Sequence, residues 1–556
     1  GKYSNSASTS WGPKISELPN DPKFGGNTSN TYTNKDGLQQ GKYYVVQRAK
    51  AGLDPWVAPA VYDNAKEFFQ TGLTQSNAFN VAQAFDKGNF SISLGNTMSN
   101  GIVPSTGLDR YNAKMAAEAQ LSKNWKMGFS SNFITSKLTK QTSANNGIVA
   151  TVYPAPPSYD LKGIPSYIKG DPYTQNTYRS TSGFDAAYWA IDNNKFTERS
   201  QRFFGNVYAE YNTNFNTENQ KLVIKYQLGD DAYATNYSDV WGYGHANGKG
   251  EVDQYNYTVN EMNSLATAAY NWKVNDDLTF DAVLGNEWVE YARKFTEGYG
   301  KDFNFSGWNH IANASVYQAS ESYRTERTIG VFGNLSLAYK NMLYLNATGR
   351  NDIVSTMPRN NRSFFYPSVS LGWVFTELPA LKNDILTYGK FRSSYAEVGQ
   401  AGTYYASYFS TPAYGGGFSS GTPILYPING VVAYTPNSTV YDPNLKPQNT
   451  VSYEFGVDLT FFKGLVNLNY TYSRQNVKDQ IFSVPLASST GSASLVTNGG
   501  SIHTNAHELT LGVNPIKTKN FTWDFGFNFS KIDNFVDKLA PGVNSIFLGG
   551  FTEPQV

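Results

Sequence analysis

Two histidines four residues apart beside a carboxylate, His503, His507 and Glu508, are the nearest this chain comes to a metal-binding pattern. The run around them reads as extended, and on a strand the two imidazoles share one face but stand about 13 Å apart at roughly 3.3 Å per residue, too far to clasp one ion. Asp230 and Asp231 are adjacent, so a strand sends their carboxylates to opposite faces. That arrangement suits charge lining an aqueous interior, not an acid/base couple. Gly415, Gly416 and Gly417 fall in a long loop with no amphipathic helix after them, which reads as a flexible loop and not as a phosphate cradle. His245 and His310 sit singly in loops and read as solvated. Cysteine is absent, which removes thiolate nucleophiles, thiolate metal sites and disulfides together. No catalytic residue, metal or cofactor is expected. The side chains suited to binding are aromatic and lie in loops: Trp189, Trp241, Tyr243, Trp308, Tyr404, Tyr405 and Tyr408. Their rings can stack on sugar faces or grip peptide side chains, and packing within the loop is their other use.

The elements that position these loops are β-strands. From Asn520 to Ser530 the chain reads NFTWDFGFNFS, with Phe521, Trp523, Phe525, Phe527 and Phe529 alternating with small or polar residues. Successive side chains of a strand point to opposite faces, so this segment has one ring-covered wall and one wet wall. Leu222, Ile224, Tyr226 and Leu228 alternate in the same way with Val223, Lys225 and Gln227, and Leu343, Leu345 and Ala347 with Tyr344, Asn346 and Thr348. Trp125, Trp272, Trp373 and Trp523 stand near strand ends, where a ring can sit at the lipid headgroup level.

Composition agrees. The 556 residues are 15% aromatic and only 16% charged, with a mean hydropathy of -0.45. Strands with one apolar and one uncharged polar face have this balance. A net charge of +1 leaves no electrostatic footprint for nucleic acid or for anionic lipid over the chain as a whole. No run approaches the roughly 18 apolar residues of a membrane-spanning helix, so a membrane location requires a closed barrel.

Strands come in pairs joined by short polar turns at Asp86–Asn89, Ser122–Asn124, Asn216–Asn219, Asn275–Asp277, Lys340–Asn341, Phe462–Gly464 and Lys517–Asn520, with a longer one at Glu377–Asp384. Between the pairs lie long loops, at Lys140–Ser200, Ser238–Val252, Lys301–Ala319, Ala401–Asn449 and Ile481–Ser501. Short turns at one rim and long loops at the other is the asymmetry of an outer-membrane barrel. The fold expected is all-β: a large antiparallel transmembrane β-barrel with roughly sixteen strands in this chain, several of them longer than the roughly 9 to 11 residues that cross the apolar band.

Several strings, in order, carry a family resemblance: Arg350-Asn351-Asp352, Ser355-Thr356-Met357-Pro358, FFYPSVSLGWVFTEL from Phe364, KFRSSYAEVG from Lys390, NLKPQNTVSYEFGVDLTFF from Asn444 and QNVKDQIFSVPL from Gln475. SWGP from Ser10, Tyr188-Trp189, LGDD from Leu228 and LGNE from Leu284 add to it. Together they resemble the SusC/RagA family of TonB-dependent outer-membrane transporters over nearly the whole chain. The resemblance implies a 22-stranded barrel plugged by an N-terminal domain, in the outer membrane of a Bacteroidota-type bacterium. It implies import of oligosaccharides or peptides, a SusD-like surface lipoprotein as lid, energy from the TonB-ExbB-ExbD complex, and a dimer of SusC-SusD pairs as one assembly.

Residues 1–556 are then an incomplete β-barrel domain, with the plug, the N-terminal extension and the last strands expected outside this chain. Thr504 and Ala506 stand where the family usually has Asn and Gly, which would alter a local bulge. Two rivals share the strand pattern. A passive porin-type channel lacks the plug and the energy coupling, and a secreted β-sandwich enzyme or adhesin is recovered without detergent.

Overall fold

The computed structural model describes residues 14–20, 41–142, 147–179, 183–215, 217–245, 248–381, 383–404, 409–410, 429–431 and 435–539. Tyr405, Tyr408, Gly415 to Gly417, Ser10 to Pro13 and the last residues from Glu553 lie outside these.

Among the described residues, sixteen antiparallel strands form one sheet in strict chain order, each inner strand pairing with the one before and the one after and the first and last pairing with one neighbour each. They are β1 (Leu73–Phe85), β2 (Gly88–Asn100), β3 (Gly107–Gln120), β4 (Trp125–Lys140), β5 (Lys195–Thr213), β6 (Gln220–Trp241), β7 (Glu251–Lys273), β8 (Leu278–Phe303), β9 (Ala314–Tyr339), β10 (Leu343–Val354), β11 (Ser363–Val374), β12 (Leu386–Gln400), β13 (Gln448–Phe461), β14 (Val466–Lys478), β15 (Ser501–Lys517) and β16 (Thr522–Lys538). Among the described residues no helix is long and apolar enough to cross a membrane, which leaves crossing by strands open.

Local chemistry sets the short turns. Asn275 accepts the amides of Asp277 and Leu278 on its side-chain oxygen, both at 2.9 Å, closing the turn from β7 to β8. Asn383 does the same for Ile385 and Leu386 before β12. Lys340 and Asn341 both take left-handed backbone angles, φ 52°, as a tight hairpin between right-twisted strands requires.

Two expected loops are shorter than their composition suggests. β8 runs on to Phe303 and β9 starts at Ala314, each 26 residues long, so the loop expected at Lys301–Ala319 shrinks to 304–313. Likewise β5 begins at Lys195 and not after Ser200. Pairing continues through these polar stretches because a ladder needs backbone partners, not apolar side chains. The pairing runs evenly through Thr504 and Ala506, whose partners are Asn534 and Ile532; the irregularities fall on either side, at Ser501/Ile502 and Val513/Ile516.

One face of the sheet carries a continuous apolar belt. Phe79, Leu94, Ala113, Phe133 and Phe203 are successive cross-strand partners over five strands. Leu337, Leu345 and Leu371 continue the pattern further round, as do Leu468, Leu511 and Phe527. These side chains are not packed: Phe79 is 61% exposed, Phe133 46%, Leu345 41% and Phe527 46%. A β-sandwich in water would bury such rows, whereas lipid covers them. Trp125, Trp272, Trp373 and Trp523 all lie at the short-turn ends of their strands, with Trp125 against Tyr211 at 5.1 Å.

The conventional core lies elsewhere. Leu18, Tyr43, Val45 and Phe68 pack with Ile148, Val152, Tyr159, Tyr178 and Ala187, so the segment before β1 and the connection from β4 to β5 form a compact cap at the long-loop rim. Two of its buried phenols find backbone acceptors. Tyr43 donates to the Ser158 carbonyl at 2.7 Å and Tyr178 to that of Thr151 at 2.9 Å. Burial pushes the pKa of the Tyr43, Tyr159 and Tyr178 phenols well up, keeping them neutral donors.

Candidate functional site

The face opposite the belt is polar and carries two groups of interacting side chains. Near the short-turn end, the Arg350 guanidinium donates to Glu287 at 2.7 Å and to Asp352 at 2.8 Å, and the Tyr366 hydroxyl donates to Asp352. Arg392 reaches Asp458, Glu454 and Thr471 across three strands, at 3.0, 3.4 and 3.1 Å. Five strings of the sequence resemblance supply all of these residues except Thr471. Period-two alternation delivers them all to one wall.

Further toward the long loops, β6, β7 and β8 present an aromatic and acidic patch on the same face. Register places Tyr237 opposite Tyr255, Tyr255 opposite Glu297, Tyr257 opposite Phe295, and Asp253 between Asp239 and Tyr299. The Tyr237 and Tyr255 rings stack at 4.5 Å and 9°, and Tyr257 lies 4.9 Å from Phe295. Lys140 stands 5.5 Å over the Tyr237 ring and Arg293 4.4 Å over that of Tyr257. Tyr299 donates to Glu251 at 2.9 Å and Ser320 to Glu297 at 2.7 Å. One carboxylate oxygen each of Asp239 and Asp253 is buried without a hydrogen-bond partner among the described residues. Half-buried rings beside acceptors with unused capacity suit a ligand that combines apolar faces with hydroxyl or amide donors. None of these rings is among the aromatic residues expected in loops, because all of them lie on strands. The alternation of Tyr255 and Tyr257 on the polar parity of DQYNYTVNEM was the available signal.

The aromatic loop residues do not converge. Trp189 is fully buried in the short helix Ala187–Asn193, and its indole N–H donates to the Pro172 carbonyl at 3.0 Å. It has no surface to offer a ligand, so its expected contact role is corrected to packing in the cap. Trp241 is half-buried edge-on to Phe196 at 4.9 Å, and Tyr243 meets Tyr173 at 6.2 Å. Tyr404 meets Tyr441 at 6.2 Å, with its amide donating to the Thr356 carbonyl. Trp308 differs. It is 46% exposed in the loop 304–313 and stacks between Phe305 at 5.9 Å and His310 at 5.0 Å, a three-ring platform on the outer rim.

One histidine also differs from expectation. His245 is buried, not solvated, and burial pushes its pKa down against the opposing pull of Asp185, Glu251 and Asp302. His310 is exposed and accepts the Ala312 amide on Nδ1 at 3.1 Å. His503 pairs with Asp537 at 2.6 Å and stacks on Phe535, while His507 meets the Tyr470 hydroxyl at 2.9 Å. The two therefore have separate partners. Asp231 pairs with Arg202, and Asp230 accepts from Asn260 at 3.1 Å, so the adjacent carboxylates do separate to opposite faces. Among the described residues no group of three or more His, Cys, Asp or Glu is placed to hold a metal ion.

Comparison with known proteins follows the same lines. Residues 158–549 match the sequence family described as TonB dependent receptor-like, beta-barrel. The TonB-dependent receptor SusC of Bacteroides thetaiotaomicron is 26% identical over 509 residues, covering 86% of this chain and 48% of that protein. The TonB-dependent receptor P3 of Formosa agariphila is 23% identical, covering 87% of this chain and 48% of its own length. The chain thus spans about half the length of these curated relatives. Among solved structures, the RagAB peptide importer in its open-open state superposes with a TM-score of 0.75 at 17% identity, covering 96% of this chain and 59% of that one. The RagAB peptide transporter gives 0.72 at 18% identity, covering 88% and 53%.

Proposed function

The chain belongs to the TonB-dependent receptor-like β-barrels of the outer membrane, of the SusC and RagA type, and we propose that it forms the wall of an energised nutrient importer. In this reading the ligand is an oligosaccharide or a peptide, a SusD-like lipoprotein closes the barrel from outside, and the TonB complex drives release inward. Transport, not catalysis, is the work. The observation that carries the reading is the division of one sheet into an exposed apolar belt and an opposite wall holding the Tyr237, Tyr255, Tyr257 and Phe295 patch. A belt alone would fit any outer-membrane barrel; the patch supplies a place to hold a ligand before it moves.

Among the proposed contacts, Tyr237 and Tyr255 come first, then Trp308 on the outer platform, with Trp241, Tyr243 and Tyr404 as supporting residues of the rim. The test uses the full-length protein in its native outer membrane, supplied in turn with labelled oligosaccharides and labelled peptides. Uptake of one class should need an intact TonB complex and should fall in the Tyr237→Ala/Tyr255→Ala double variant. Uptake that persists without TonB would support a passive channel. Uptake of neither class would remove the proposed cargo.

A further inference from the structure

Above the apolar belt, on the lipid-facing side of β3 to β8, the outward positions turn abruptly polar, and on β4 and β5 cationic. On β5 the outward series runs Tyr211, Ala209, Val207, Gly205 and Phe203 through the belt, then Gln201, Arg199, Thr197 and Lys195. On β4 it runs Trp125 to Phe133, then Thr135 and Lys137. Lys137 and Arg199 are directly opposite in the ladder, and both are exposed. Like charges facing each other across a strand pair repel, so this placement costs stability unless an anion sits between them. Among the described residues, Lys137, Arg199 and Lys195 form no ion pair. Asp109, the partner of Lys137 on β3, is the one outward carboxylate beside them and leaves an excess of positive charge.

Two adjoining grooves on this face share Arg199 and Asn236. One, of about 560 Å³, is lined by Asp109, Tyr111, Thr135, Lys137 and Gln201. The other, of about 620 Å³, continues away from the belt along Thr197, Ser238, Gln254, Asn256 and Thr296 to Lys195. From Phe203 to Lys195 the polar strip covers about 26 Å of strand at roughly 3.3 Å per residue. A phospholipid headgroup would fill only the lower end.

We propose that this face binds a phosphorylated glycolipid of the outer leaflet. Its acyl chains would lie on the belt at Phe133 and Phe203, its phosphate would bridge Lys137 and Arg199, and its sugars would run up the amide and hydroxyl groove past Asn236, Gln254 and Asn256. Continuity with the membrane belt fixes the partner as a lipid. The cation pair fixes it as anionic, since guanidinium and ammonium groups favour phosphate oxygens. The length of the amide groove favours a sugar-bearing headgroup over a short one.

The test is native mass spectrometry of the full-length protein in detergent, titrated with rough lipopolysaccharide, with the same lipid after phosphatase treatment, and with phosphatidylglycerol. Retained adducts should follow that order, rough lipopolysaccharide first. The Lys137→Gln/Arg199→Gln variant should lose at least about five-fold of the lipopolysaccharide adduct, in line with two lost charge-assisted contacts. Lys137→Arg/Arg199→Lys should retain it. Asn256→Ala should weaken lipopolysaccharide without changing phosphatidylglycerol, and no variant should lower the resistance of the folded barrel to unfolding in detergent. Equal adducts in the Gln double variant, equal adducts after phosphatase, or phosphatidylglycerol bound as tightly as lipopolysaccharide would each overturn the proposal.

Discussion

The Tyr237 and Tyr255 rings, on neighbouring strands and directly opposite in register, stack at 4.5 Å with their planes 9° apart. A pair so aligned presents one broad apolar edge to the interior while the Tyr255 hydroxyl reaches toward Asp239 at 3.5 Å. Aromatic pairs contribute about 0.5–1.5 kcal/mol beyond their buried area, and a ligand that extends the stack draws on the same contact. Tyr255→Ala should weaken ligand binding by about two- to tenfold. Tyr255→Phe should retain most of the affinity. Equilibrium binding to the purified full-length protein measures both, and an alanine variant that binds like the parent would remove the patch from the binding site.

Arg350 tests the lower wall. Its guanidinium bridges Glu287 and Asp352, which lie on separate strands, and side-chain exposures of 28% and 11% for Arg350 and Asp352 place the contact partly out of water. Arg350→Met removes the bridge and leaves two carboxylates near each other, at a cost of about 1.5–3 kcal/mol for hydrogen bonds to charged groups. Arg350→Lys should recover only part, because one ammonium cannot reproduce a two-armed fork. Unfolding in denaturant from lipid or detergent gives both numbers. A lysine variant as stable as the parent would show that charge alone matters there.

The cap offers a separable stability test through Trp189. A fully buried indole lost to alanine costs about 3–5 kcal/mol, and the loss here falls between the helix Ala187–Asn193 and the backbone at Pro172 and Gly244, beside which the indole lies. Trp189→Ala should expose residues 147–194 to protease while the strand ladder stays intact. Coincident loss of cap and barrel would show that the two unfold as one unit.

Local and non-local information divide this chain unevenly. The turns were legible because their determinants are neighbours in sequence, as with Asn275 holding the amides of Asp277 and Leu278. Strand faces were legible from alternation, since Leu343, Leu345 and Ala347 need only parity to be placed together. Trp189 was not. Its indole bonds the Pro172 carbonyl and lies beside Gly244 of the next long loop, and nothing in the local sequence announces those contacts. The Tyr237 and Tyr255 patch was also hidden, because it exists only once the register of β6 against β7 is fixed. Phe521 to Phe529 illustrate a third case: the alternation was plain, but only the exposure of those rings, 46% to 57%, separates a lipid wall from a protein core.

His245 makes the loop 242–250 sensitive to acid. Burial depresses its pKa below the ordinary value of 6.5, so the folded loop prefers the neutral ring and that stabilisation is fully present above pH 6.5. It is lost as pH falls through the depressed folded value. Protease nicking at residues 242–250 should therefore rise on acidification below about pH 6.5. His245→Asn should flatten that rise. The same pH profile in the variant would place the titrating group elsewhere.

The belt yields the sharpest contrast between the two faces. Leu345 points outward, partnered by Leu337 and Leu371, and is 41% exposed; Asn346, the next residue, points inward and bonds Asn334 at 2.8 Å and Ser336 at 2.7 Å. An arginine on the lipid face near the bilayer midplane costs about 2–4 kcal/mol, falling toward zero at the interfaces. Leu345→Arg, one outward position in from the level of Trp373, should therefore destabilise the barrel in lipid by part of that amount, whereas Leu343→Arg, paired with Trp373 itself, should cost less. Asn346→Asp keeps a polar group in a wet interior and should stay within about 1 kcal/mol of the parent, the scale of one exchanged hydrogen bond. Reversible unfolding from vesicles compares the three directly. A Leu345→Arg protein as stable as Asn346→Asp would mean that the apolar rows do not face lipid, and the sheet would then need another cover for its exposed rings.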